Sequence, residues 1–162
     1  MATRHKKPHH SETPHVDRPR PGVVKISVYT DGSGITVDAE DSKGVVIAEI
    51  EGRFEPWTGC DDDAKVVRAR IRELGQRIGG RVLVVYCSEI RDLRYIRTGL
   101  GVELYIALAR TAAEEFEAVV VPHRCIAGGH TSDFAERVWK SRRFNAVVVR
   151  EGDAAYWIGE VR

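Results

Sequence analysis

The chain has 162 residues, 43% of them hydrophobic, with 25 basic and 24 acidic side chains and a formal net charge of +1. Such a length accommodates one hydrophobic core in a domain of about 140 residues, and the balanced charge gives no global case for a nucleic-acid or membrane-surface binder. No run of about 18 apolar residues occurs, so no spanning helix is expected. Three widely spaced cysteines (Cys60, Cys87, Cys125) in a chain without a secretory apolar stretch argue for a reduced, cytoplasmic setting rather than a disulfide framework.

Residues 1–21 carry four histidines (His5, His9, His10, His15), four prolines, and five basic against two acidic residues. They hold almost nothing apolar to bury and read as a disordered, solvated tail. Residues 22–162 read as a single domain. Residues 23–30 (VVKISVYT) form a β-branched run, Asp31-Gly32-Ser33-Gly34 is a turn signal, and 35–39 alternate apolar and polar. A second turn at 41–44 precedes another apolar run over 45–50, so an antiparallel three-stranded meander is expected, with its Asp and Gly residues as turn formers. Residues 51–60, with Pro56 and Trp57, read as a loop. Asp61, Asp62 and Asp63 then place negative charge in the first turn of a helix whose Val67, Ile71, Leu74 and Ile78 share a face. Helix capping is the plainer role for these aspartates than metal binding. Gly79-Gly80 is the expected stop.

The stretch 81–144 organises the rest. Residues 81–87 (RVLVVYC) read as a buried strand, and Gly99-Leu100-Gly101 opens a helix with Leu104, Tyr105, Leu108 and Ala112 on one apolar face. Backbone N–H groups exposed where a glycine-containing loop enters a helix favour an anion such as a phosphate. A strand over 118–121 closed by Pro122 follows. Thr131-Ser132-Asp133 are N-cap candidates for a helix carrying Phe134, Ala135, Val138 and Trp139. An apolar run at 146–149, a turn at 151–153 and AAYWI at 154–158 make a terminal hairpin, a candidate for pairing across a homodimer. The expected order is βββ-α-β-α-β-α-ββ, an α/β or α+β fold with a mixed sheet.

The run Tyr95-Ile96-Arg97-Thr98-Gly99-Leu100-Gly101, with Glu103-Leu104-Tyr105 behind it and Ala135, Trp139 and Phe144 further on, resembles the GNAT superfamily of N-acetyltransferases. The resemblance covers about 65 residues. It implies an acyl-CoA N-acyltransferase-like fold that binds acetyl-CoA and acetylates a primary amine, a small molecule or a peptide, by direct attack. It places the pyrophosphate on the backbone of Ile96, Arg97, Thr98, Gly99, Leu100, Gly101 and Val102. The pantetheine arm falls along the strand end near Ile90 and Arg91, with Ser132 and Trp139 also at the cofactor. Glu89 stands where the family often carries the carboxylate that deprotonates the amine, which must be neutral to attack a thioester. A solvated residue at a fraying strand end is the plainer reading of Glu89. Ile96 stands where the family has Gln or Arg, and Trp139 where many members have a tyrosine that protonates the departing thiolate, a step an indole N–H cannot perform.

Those two departures favour a second reading, a GNAT-like binding module without turnover. A third is a degenerate ribonuclease H-like domain, since Tyr29-Thr30-Asp31-Gly32-Ser33 resembles the opening strand of that fold. That family needs three or four carboxylates for two Mg²⁺ ions, yet Lys65 and Cys87-Ser88 stand at later positions of the set. His123, Cys125 and His130, with Cys87, match no closed zinc pattern, so no metal is assigned.

Overall fold

The structure, a computed structural model, describes residues 17–57, 62–73, 75, 77–123, 129 and 132–139. Five strands form one mixed sheet: β1 (Lys25–Thr30), β2 (Gly34–Glu40), β3 (Val46–Pro56), β4 (Arg81–Ile90) and β5 (Val119–Pro122). They lie in the order β1-β2-β3-β4-β5. The three pairs among β1 to β4 are antiparallel and β4–β5 is parallel. Helices α1 (Asp62–Glu73), α2 (Leu100–Phe116) and α3 (Asp133–Trp139) complete an α+β fold among the described residues. The terminal hairpin, Phe144, and residues 1–16 of the tail lie outside the described residues.

The expected meander is present, and its aspartates build the turns. Asp31 accepts from the Ser33 N–H (2.7 Å), the Ser33 hydroxyl (2.6 Å) and the Gly34 N–H (3.0 Å). Asp41 accepts from the N–H groups of Lys43 (2.9 Å) and Val45 (3.0 Å), while Gly44 takes φ 77°. An Asx carboxylate that gathers the turn's own amides competes well with water for them.

Two boundaries differ from expectation. The segment read as a loop continues β3 through Pro56, because β4 supplies partners from Gly52↔Val85 to Pro56↔Arg81. A proline at the last position costs the ladder little. Helix α1 stops at Glu73 rather than at Gly79-Gly80. Gly75 adopts φ 71° and returns its N–H to the Arg72 carbonyl (3.0 Å), so the first available glycine ends the helix. Leu74 lies outside the described residues, and Ile78 falls beyond the helix.

The core sits between one sheet face and α2. Ile35, Val37, Ala39, Ala48, Ile50, Leu83 and Val85 meet Leu100, Leu104, Tyr105, Leu108, Ala109 and Ala112, all buried in one cluster. The four-residue spacing of the α2 side chains is what aims them at the sheet. Val82, Val84, Val119 and Val121 face the other way and are buried too, as are Trp57 and Ile71. At the middle of the sheet the register shifts, with Glu51 opposite Cys87 but Gly52 opposite Val85. Tyr86 is therefore the extra residue of a bulge. A Cβ on Gly52 would stand 2.7 Å from Leu83 Cγ, and one on Gly34 would collide with the Gly52 carbonyl oxygen, so both glycines are required by close approach.

Candidate functional site

Strand β4 pairs with β5 only from Val82↔Val119 to Val85↔Pro122. Beyond Val85 the strand runs on to Ile90 with β3 alone beside it among the described residues. Among the described residues, the β5 side of 86–90 is unpaired where the strand leads into the loop before α2. Asp92 starts that loop by accepting from the Arg94 N–H (3.1 Å) and pairing with its guanidinium (2.7 Å). These bonds hold its carboxyl below the usual carboxylate range. A 3-10 turn (Leu93–Tyr95) follows, then Arg97 at φ 61° and Gly99 at φ 79° as the N-cap of α2, which receives no side-chain capping bond. The first amides of α2 meet the general condition for holding an anion.

The loop residues divide by what they already bond. The Ile96 N–H donates to the Leu93 carbonyl (3.2 Å) and the buried Thr98 hydroxyl to the Tyr95 carbonyl (2.6 Å), so neither group is available to a pyrophosphate. Leu100 is buried in the core. The Gly99 carbonyl accepts from the Glu103 N–H (3.2 Å). The N–H groups of Arg97, Thr98, Gly99, Leu100, Gly101 and Val102 stay as candidates for an anion, with the exposed Arg97 side chain among them. The free side of Gly101 points inward, its virtual Cβ lying 3.8 Å from Val138 and 3.9 Å from Ile90. Residues 18–20, expected to belong to the disordered tail, are held here instead. The Arg18 N–H donates to the Arg97 carbonyl (2.7 Å), and Arg20 pairs with Glu103 (2.8 Å).

Ser132 is exposed at the start of α3, and Trp139 is buried at its end. The Ser132 hydroxyl accepts from the Ala135 N–H (3.2 Å) and caps α3. Trp139 is 1% exposed and meets Tyr105 edge to face, ring centroids 5.4 Å apart, because an apolar helix face buries its largest ring first. The Tyr105 hydroxyl donates to Ser88 on β4 (3.2 Å) and also faces the Trp139 indole. Burial raises its pKa and keeps it protonated.

On the sheet face opposite α2, Asp38, Glu49 and Glu89 stand side by side on β2, β3 and β4 through the pairs Asp38↔Glu49 and Glu49↔Glu89. The Arg91 guanidinium reaches Glu89 (3.4 Å) and Glu49 (3.7 Å). Desolvation is the main cause that raises the Glu49 pKa, followed by the Asp38 charge, with Arg91 opposing. Glu89 is the more open of the two, its side chain 56% exposed against 28% for Glu49. A carboxylate whose proton affinity is raised is the better base near neutrality. Glu49 was not singled out from sequence. Its signal was the alternation Glu49-Ile50-Glu51, which puts both acids on one strand face. Cys87, on the same face opposite Glu51, has its thiol pKa raised by burial and then by Glu49, Glu89 and Glu51.

Among the described residues, no group of three His, Cys, Asp or Glu side chains could hold a metal ion. Cys125 and His130 lie outside them. Asp31 Oδ1 takes three bonds of its turn. No helix of the described residues is long and apolar enough to cross a membrane. Comparison with protein-family models, with curated proteins and with solved structures finds no match.

Proposed function

We propose that the chain binds acetyl-CoA along the free edge of β4 and at the start of α2, and that it acetylates a primary amine. The observation that carries this reading is that β4 has no partner on its β5 side after Val85 among the described residues, beside a helix whose N-cap is a glycine and so offers no side chain to its first amides. An extended amide-bearing arm can add to such an edge as a strand does, while α2 amides and Arg97 suit a pyrophosphate. GNAT-like architecture is the family form of this proposal.

Bound acetyl-CoA supplies a thioester carbonyl carbon that a neutral amine attacks with loss of the CoA thiolate. Glu49 takes the proton from the incoming ammonium, directly or through water, because its own charge is disfavoured by burial and by Asp38. Glu89, the group indicated by the resemblance, helps to hold the cation at the mouth of the site. Arg91 keeps both carboxylates in place. With Trp139 packed against Tyr105, the thiolate takes its proton from solvent.

Thermal unfolding with and without acetyl-CoA tests the binding step. At about a hundred times the dissociation constant, a ligand specific to the folded state adds roughly 2.7 kcal/mol, a shift of several degrees. An Arg97→Glu variant should lose most of that shift while keeping its own unfolding temperature. No shift in the parent chain would end the reading. Turnover is followed by release of free thiol with simple amines as acceptors, and Glu49→Gln should depress it more than Glu89→Gln.

A further inference from the structure

Among the described residues, strand β1 is the sheet edge at the opposite end from β5, and it carries little of what usually blunts an edge. Its sequence KISVYT contains no proline and one charge, and its register against β2 runs without a shift. Val28 is 40% exposed and Tyr29 53%. The phase of the ladder shows which backbone groups are open. The Asp31 N–H donates to the Gly34 carbonyl (3.1 Å), one step beyond the Thr30↔Ile35 pair. Hydrogen-bonded and non-hydrogen-bonded pairs alternate in an antiparallel ladder. Tyr29, Ser27 and Lys25 therefore bond β2, and the N–H and C=O groups of Ile26, Val28 and Thr30 point away from it.

We propose that β1 pairs with β1 of a second copy of this chain, antiparallel about a two-fold axis at Val28, joining two sheets into one. A two-fold perpendicular to the sheet keeps the α2 side of both copies together, which requires cross-strand partners that face the same way. Centring on Val28 meets that condition with the outward-pointing residues: Val28 opposes Val28, and Ile26 opposes Thr30. Charge selects this register. It sets Lys25 of each copy opposite Asp31 of the other, two opposite-charge pairs on the polar face, whereas centring on Ser27 would set Lys25 opposite Tyr29. Such cross-strand pairs favour one register over its neighbours. The pairing also covers Val28 and Tyr29.

Sedimentation equilibrium of the full chain over a range of concentrations should show a monomer–dimer equilibrium. Lys25→Glu, which turns both charge pairs repulsive, should weaken it by about tenfold or more, and Lys25→Arg should leave it unchanged. Under oxidation Val28→Cys should form a covalent dimer, since a hydrogen-bonded cross-strand pair brings Cα atoms within disulfide range. Thr30→Cys should not, because the two copies of residue 30 would be roughly 13 Å apart. Lys25 and Val28 are exposed, and thermal unfolding confirms that each variant folds. If Lys25→Glu does not fold, the cross-link decides. A monomer at every concentration, as when later residues of the same chain cover β1, overturns the proposal. So does a dimer that Lys25→Glu leaves as tight, or that Val28→Cys fails to trap.

Discussion

Glu49 and Glu89 oppose each other directly across β3 and β4, and one guanidinium, Arg91, reaches both, at 3.7 Å and 3.4 Å. Desolvation and the Asp38 charge disfavour the ionised form of Glu49, and Arg91 opposes them. Arg91→Gln should raise the Glu49 pKa further by removing that opposing charge. Carboxyl chemical shifts of Glu49 followed through a pH titration give the answer. An unchanged titration would show that desolvation alone governs the site.

The dependence of stability on pH should have two limbs of opposite sign. Asp31 and Asp92 have pKa values lowered from 3.8 by hydrogen bonds in their turns. Their stabilisation is complete above that value and is lost as pH falls through the folded-state pKa. Glu49 is raised from 4.5, so the folded chain holds that proton more tightly than the unfolded one. Its contribution is present below 4.5 and is lost as pH rises through the folded-state value. Glu49→Gln should flatten this upper limb and leave the acid limb intact in denaturant titrations at several pH values.

Substitution of glycine should separate sites of close approach from sites of open space. Gly52→Ala sets a methyl 2.7 Å from Leu83 Cγ and should cost about 1–3 kcal/mol, the usual range for overpacking. Gly34→Ala should cost more, since its Cβ meets the Gly52 carbonyl and the backbone must move. Gly101→Ala meets only Val138 and Ile90 at ordinary contact distance, so it should change stability little. Urea midpoints of the three variants provide the ranking.

Trp139→Ala should destabilise the fold by about 3–5 kcal/mol, the range for deleting a buried large aromatic, because it removes the ring that packs on Tyr105. Trp139→Phe should cost less, keeping an aromatic edge while losing the N–H that faces the Tyr105 hydroxyl. Chemical denaturation measures both. An alanine variant as stable as the parent would remove Trp139 from the core.

Gly101→Asp would probe the anion site poorly. Gly101 is in the first turn of α2, and its open side faces Val138 and Ile90. The charge would be buried among apolar groups, and any loss of acetyl-CoA binding would be mixed with a loss of stability. Arg97, exposed on the preceding loop, avoids that confusion.

Periodicity and turn chemistry were legible from residues alone, because both are set within a few positions of the chain. The spacing of Leu104, Leu108 and Ala112 marked the buried face of α2, the alternation in 35–39 marked β2, and Asp31 and Asp41 marked their turns. The length of β3 was not legible, since residues 51–56 become strand only when β4 provides partners across a gap in sequence. The same non-local pairing brought Asp38, Glu49 and Glu89 into one row and left residues 86–90 of β4 without a β5 neighbour among the described residues. Burial decided the rest. Trp139 lies in the core against Tyr105, a placement its spacing in the chain does not give. For the described residues, the sequence by itself determined the order of strands and helices through α3, by local propensity and capping. Which carboxylate is desolvated and which edge is unpaired among the described residues were decided by tertiary structure, because each depends on groups far apart in the chain.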